Sequence, residues 1–432
     1  MRKNELYMIF FIIFVNFVYF VIVFSTFSIA ESKWYMFTWL AEWLDYKIIL
    51  MRSSKIERFQ YLFEFPVLGV AYLIGVGQAA VTTRSLMASR IPFLLPFHYH
   101  VIYMGLLNVL FEIITVILTM RLVSRYFERI YASNIMFIFI LLPVVWWITI
   151  SRWELLPMAF IVSTLYFAVE NRPWYAWISI TIAILTKFYP ILFTIPLIWY
   201  YFERDGFKKT VIYVGSILAL TVLIHIPFYL IFGTKILSGI FFQATRISVP
   251  YSIWYWIFLI SRGNELVSVI SVWIQVGSIF IYVLADYFYE IKKENPLSTD
   301  RALIKRFSIV SLIFLLTFKM AGYQYVVYAF PFVLIFMNCF KKFTYFAFWI
   351  IAYHITTYLT IIIYGLAFLS KRLEVTATIF FSMSITYVVL YMVAIALIHF
   401  NKNLYENRIS ILNDKEFILQ LYHFVKKEKS HK

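Results

Sequence analysis

The sequence predicts an all-α, polytopic integral membrane protein, and three observations carry that reading. Of its 432 residues 63% are hydrophobic and only 14% charged, with a mean hydropathy of +0.82, against roughly 25% charged in an ordinary soluble domain. Apolar runs recur along almost the whole chain, which leaves no room for a soluble domain beyond the ends and a few loops. Lys and Arg, which give a formal net charge of +16, gather in short stretches between those runs. That is the pattern of cytoplasmic loops rather than of a nucleic-acid surface. Residues 1–400 are therefore read as one polytopic membrane domain, and 401–432 as a basic, amphipathic cytoplasmic tail. No nucleic-acid partner is expected. Cys339 is the only cysteine, which excludes an internal disulfide framework or a multi-cysteine metal site. The seven histidines are scattered without helical ligand spacing. Nothing points to haem, zinc or an iron–sulfur cluster, and the part of a divalent metal stays open.

Taken in order, Arg2 and Lys3 precede an apolar run over 6–30 that is longer than the roughly 7–15 residues of a signal-peptide core, so an uncleaved first helix with its N-terminus inside is expected. Residues 31–60 then form a first outer loop carrying charges of both signs and an amphipathic stretch suited to a helix on the membrane surface. Residues 61–100 hold Pro66, Gly69, Gly75, Gly77, Pro92 and Pro96 among apolar residues, which reads as broken or re-entrant helix. A helix over 99–122 ends at Arg121, Arg125 and Arg129, a basic inner end. Helices follow over 134–150, 155–169, 174–186 and 191–202, several of them shorter than the ~20 residues of a full span. A single tilted helix over 174–201 would bury Lys187 at mid-membrane. The hairpin is preferred, because Pro190 breaks the run and Lys208 and Lys209 then fall inside.

The next helix, 213–231, leads into a second outer loop, 233–265, with Lys235, Gln243, Arg246 and an aromatic cluster of Tyr251, Trp254, Tyr255 and Trp256 that suits an interfacial belt. A helix over 266–289 returns to a basic inner loop, 292–306. The last helices are read over 307–318, 325–339, 343–369 and 376–400, with a tight outer turn at 319–324. About twelve crossings result, with both termini cytoplasmic.

This topology collects Glu42, Asp45, Glu64, Arg152, Glu154, Lys187, Arg246, Lys319 and Gln324 on the outer, extracytoplasmic face. Cations there suit the charge that develops on a departing phosphate, and a carboxylate suits the proton of an attacking hydroxyl. Each residue also has a plainer reading. Lys187 can snorkel from a helix end, Arg152 and Glu154 can form a structural ion pair, and a first-loop carboxylate can simply be solvated. Gly75-Val76-Gly77 lies in a membrane segment without the strand and third glycine of a nucleotide loop.

The segment Arg152-Trp153-Glu154-Leu155-Leu156-Pro157, followed by Thr186-Lys187-Phe188-Tyr189-Pro190, resembles the polyprenyl-phosphate-sugar-dependent glycosyltransferases of the type-C (GT-C) membrane superfamily. Within it the likeness is closest to the bacterial and archaeal polyprenyl-phosphate-mannose-dependent α-mannosyltransferases. Gln324-Tyr325 resembles a later P-Q-Y element of that family, with Tyr323 in place of Pro, and Glu64-Phe65-Pro66 resembles an E-Y-P-P element, with Val67 in place of the second Pro. The resemblance implies an inverting transfer of a hexose, mannose or glucose, from a dolichyl- or undecaprenyl-phosphate donor to a lipid-linked or other membrane-borne acceptor. It implies an acidic catalytic base in the first outer loop, for which Asp45 is chosen on spacing and Glu42 and Glu64 are the alternatives. Lys187, Arg152 and Arg246 would hold the donor phosphate, and Glu154, Tyr189, Gln324 and Lys319 would contact substrate. The competing function class is a multi-pass transporter or flippase for a lipid-linked or anionic solute, since broken helices and intramembrane charges mark transporters as well. Two features favour the enzyme: no pattern repeats between the two halves, and the polar residues gather on one face rather than at mid-membrane.

Overall fold

A computed structural model describes residues 3–29, 95–126, 154–232, 252–264, 266–293 and 297–318, with single positions at 136–145, 328–332 and 382–399. Within these residues the protein is helical, with no strand. The helices are α1 (Lys3–Ile29), α2 (Leu95–Tyr126), α3 (Leu155–Val169), α4 (Pro173–Thr186), α5 (Thr194–Asp205), α6 (Phe207–Phe232), α7 (Ile253–Ile260), α8 (Leu266–Ile291) and α9 (Thr299–Thr317). Three of the described helices contain stretches long and apolar enough to cross a membrane: Leu106–Arg125, Phe207–Pro227 and Leu266–Ile291. The first outer loop, the tail, the turn at 319–324 and most of the later predicted helices lie outside the described residues.

The core is built on α3. Its sequence, LLPMAFIVSTLYFAV, is apolar on every side, and a helix of that kind is stable only when surrounded. It packs most extensively on α4, then on α2, with α9 also in contact. Its hydroxyls need partners in that environment and find them one turn back: Ser163 Oγ donates to the Ala159 carbonyl at 2.7 Å and Thr164 Oγ1 to the Phe160 carbonyl at 2.8 Å. A Schellman motif ends α3. Asn171 takes a left-handed φ of 58°, the Asn171 N–H donates to the Ala168 carbonyl, and the Arg172 N–H donates to the Phe167 carbonyl. Pro173 then opens α4, at the position where a missing N–H costs nothing.

After α4 the chain folds back. Trp177 and Tyr201 lie 24 positions apart, which would separate them by about 36 Å along one continuous helix, yet their ring centroids are 5.6 Å apart. The hairpin is thus the observed form. Its turn differs from the simple junction expected from the sequence, because Tyr189–Phe193 forms a 3₁₀ turn before α5 begins at Thr194. Pro190 lacks the N–H that would bond the Thr186 carbonyl, so the α-helical ladder cannot run through it.

The basic inner loop expected over 292–306 is corrected by α9, whose helix begins at Thr299. Lys305 and Arg306 are 0% and 1% exposed, and they face carboxylates of α8 and α5 instead of water. Loop-like charge density misleads here because every charge on that turn of helix has a counter-charge within the bundle.

Candidate functional site

The N-terminus of α3 and the C-terminus of α4 meet at one end of this hairpin core. Glu154 is the N-cap residue of α3, but its side chain makes no capping hydrogen bond. The carboxylate turns inward instead: Oε1 pairs with Lys187 Nζ, and Oε2 accepts from the Tyr328 hydroxyl. Lys187 sits just past α4 in an extended conformation, with its backbone N–H still donating to the Ala183 carbonyl at 3.0 Å. Helix dipoles favour this placement twice, a carboxylate at the start of one helix and an ammonium at the end of its antiparallel neighbour.

Burial distinguishes the partners. The Glu154 side chain is 1% exposed, whereas that of Lys187 is 24% exposed. Tyr328 is fully buried and Tyr189 nearly so. Tyr189 stacks on Phe314 at 5.0 Å between centroids and lies 4.5 Å from the Tyr328 ring, while Phe314 stacks on Phe318 at 4.7 Å. These aromatic rings keep water from the carboxylate and leave the ammonium as the part of the site that reaches the surface. Trp254 Nε1 donates to the Thr317 carbonyl at 2.7 Å, and Ser252 Oγ donates to the Phe318 carbonyl at 3.3 Å. The start of α7 is therefore tied to the end of α9 beside the site.

Of the residues picked from sequence, the structure brings Glu154, Lys187 and Tyr189 together. Asp45, Glu42, Glu64, Arg152, Arg246, Lys319 and Gln324 lie outside the described residues. Tyr328 was missed. It is 174 positions from Glu154, and nothing in its local sequence distinguishes it from the other 32 tyrosines in a chain with 33.

A second charged cluster lies toward the opposite end of the bundle, where α5 ends and α9 begins. Lys305 Nζ is 2.6 Å from both Asp286 Oδ1 and Glu290 Oε1. Arg306 donates through Nε to Asp286 Oδ2 at 2.9 Å and through Nη1 to Glu203 Oε1 at 3.0 Å. His399 Nδ1 lies 3.9 Å from Asp286 Oδ1. Sequence reasoning assigned Lys305 and Arg306 to a solvated loop and singled out none of the acids. The available signal was Asp286 and Glu290, four apart on one face of an otherwise apolar helix. Among the described residues no group of three His, Cys, Asp or Glu side chains is arranged to hold a metal ion.

No protein-family model matches this chain, and no curated protein matches it.

Proposed function

We propose that this protein is a membrane glycosyltransferase of the type-C kind, with about twelve crossings, that uses a polyprenyl-phosphate hexose as donor on the extracytoplasmic face. One observation carries the reading. Lys187 is a partly exposed ammonium at a break between apolar helices, fixed in place by a buried carboxylate. A single cation so held is suited to a lipid-borne phosphate, because it offers charge to the anion while its own position is set from behind. The likeness of the Arg152–Pro157 and Thr186–Pro190 segments to that superfamily supports the same conclusion.

In this reading an acceptor hydroxyl attacks C1 of the donor sugar and passes its proton to a first-loop carboxylate, Asp45 with Glu42 and Glu64 as alternatives. The C1–O bond to phosphate breaks, the configuration at C1 inverts, and polyprenyl phosphate leaves with its added charge facing Lys187. Arg152 and Arg246 assist with the phosphate, Lys319 and Gln324 line the substrate, and Tyr189 packs behind the site. Glu154 serves by orienting Lys187. The acceptor is a lipid-linked glycan or another membrane-borne hydroxyl, and both termini are cytoplasmic.

The test is transfer of radiolabelled hexose from polyprenyl-phosphate mannose or glucose to a lipid extract of the host by purified protein. Lys187→Ala is expected to lower the rate by about 10²–10³-fold, the loss typical of one charge-stabilising group, and Asp45→Asn to abolish it. No transfer from either donor would sink the enzyme reading, and full activity of Asp45→Asn would remove Asp45 as base. The buried network around Lys305 favours a second reading, a flippase for a lipid-linked anion, since ion pairs between membrane helices also mark transport pathways. Protein-dependent movement of the unaltered lipid across vesicle membranes, without transfer, would select it.

A further inference from the structure

Among the described residues, the helix ends remote from Lys187 carry more cations than carboxylates. Among the described residues there, Glu5 is held by Arg121 at 2.8 Å, Glu170 lies 3.5 Å from Arg125, and Asp205 accepts from Arg204 at 3.0 Å. Asp300 accepts from the Tyr200 hydroxyl at 2.8 Å, and Glu203, Asp286 and Glu290 are taken by Arg306 and Lys305. Arg172, Lys208, Lys209 and Lys292 remain exposed, and among the described residues they make no ion pair.

Three of these four lie on two neighbouring segments. Arg172 is in the turn between α3 and α4, and Lys208 and Lys209 are in the first turn of α6. The two segments are held side by side by aromatic packing: Trp174 meets Tyr213 edge-on at 5.2 Å, and Tyr213 also lies 5.4 Å from Tyr201. Around the cations stand Trp174, Tyr175 and Phe207, which are 50%, 58% and 71% exposed. Beyond them runs the exposed apolar flank of α6, including Val211, Ile212 and Leu218. Cations at a helix end, amphipathic aromatic rings next, and aliphatic surface after that is the order of a bilayer leaflet from headgroup to tail. A free anion would account for the charges but not for the exposed faces of these rings and the aliphatic flank beside them.

We infer that Arg172, Lys208 and Lys209, with Trp174 and Tyr175, form a binding surface for the headgroups of anionic phospholipids, and that this end of the bundle lies in the anionic leaflet. The inference does not depend on the glycosyl-transfer reading. It is tested with purified full-length protein in neutral detergent micelles, titrated with phosphatidylglycerol or phosphatidylcholine. Binding is expected to favour phosphatidylglycerol and to weaken about fivefold for each cation removed, as Lys208→Gln singly and Arg172→Gln/Lys208→Gln/Lys209→Gln together. Arg262→Gln, an exposed cation following α7, should leave binding unchanged, and a tenfold excess of inorganic phosphate should not displace the lipid. Unchanged phosphatidylglycerol binding by the triple variant overturns the proposal. So does equal displacement by inorganic phosphate, which would mark a site for free anions, or an equal loss in Arg262→Gln, which would mark net charge alone.

Discussion

Glu154 ties the start of α3 to two other parts of the chain. It gives up the capping bond that an N-cap side chain usually makes and uses both oxygens on Lys187 and Tyr328. Breaking a buried pair from one side costs about 3–5 kcal/mol, because the remaining charge stays desolvated. The partial exposure of Lys187 lets water compensate in part, so Glu154→Leu is expected at about 3 kcal/mol, the low end of that range. Tyr328→Phe removes one hydrogen bond to a charged group and should cost about 1.5–3 kcal/mol. Equilibrium unfolding of detergent-solubilised variants would measure both. If Glu154→Leu proved as stable as the parent, the carboxylate would not be holding the site. Lys187 was legible in the sequence because an ammonium between apolar runs is conspicuous. The hold of Tyr328 on its partner Glu154 was not, since that contact joins residues 174 positions apart.

At the scale of elements, the buried network acts as a clamp between α5, α8 and α9. Its charges balance locally once Lys293 is counted: Asp286, Glu290 and Glu203 face Lys305, Arg306 and Lys293, whose Nζ lies 3.8 Å from Glu290 Oε1. Such a network adds little net stability, since an apolar replacement of similar volume can be equally stable, while removing one partner leaves an uncompensated buried charge. Lys305→Met alone should therefore destabilise by about 3–5 kcal/mol. The double variant Lys305→Met/Glu290→Leu should fall short of the sum of the two single changes by about 0.5–3 kcal/mol. A double-mutant cycle on unfolding free energies checks this, and strict additivity would mean that the pair is not coupled. Helix boundaries were mostly legible. Leu155–Val169 begins and ends as the sequence implied, because Asn171 and Pro173 punctuate it, and Pro190 announces the break after Thr186. The starts of α6 and α9 were not legible: helices expected from 213 and 307 begin at Phe207 and Thr299, because counting Lys and Arg as loop residues assumes that they stand outside the helix. At Lys305 and Arg306 they are buried against Asp286, Glu290 and Glu203 instead.

At the scale of the molecule, the described helices place two kinds of polar surface at opposite ends. One holds Glu154, Lys187 and the α7–α9 junction; the other holds the surplus of Arg172, Lys208, Lys209 and Lys292. If the bundle spans the bilayer as its three long apolar helices allow, these ends face opposite sides. Single cysteines at Phe188 and Lys292, both exposed, in a Cys339→Ser background, are expected to react with a membrane-impermeant maleimide from opposite sides of sealed vesicles. Reaction of both from one side would break this arrangement.

The sequence by itself determined the class of the protein, the places where its helices stop, and the presence of a lysine at a costly position. Composition, Pro and Asn act locally, and a charge among apolar residues is visible without knowing its neighbours. Only the tertiary structure decided that Lys187 is held by Glu154, which Tyr328 holds in turn, that Lys305 and Arg306 are core residues, and that the segment of Arg172 lies beside that of Lys208 and Lys209. Each depends on which side chains meet across the bundle, and the electrostatic cost or gain of a charge is set by those partners and not by its place in the chain.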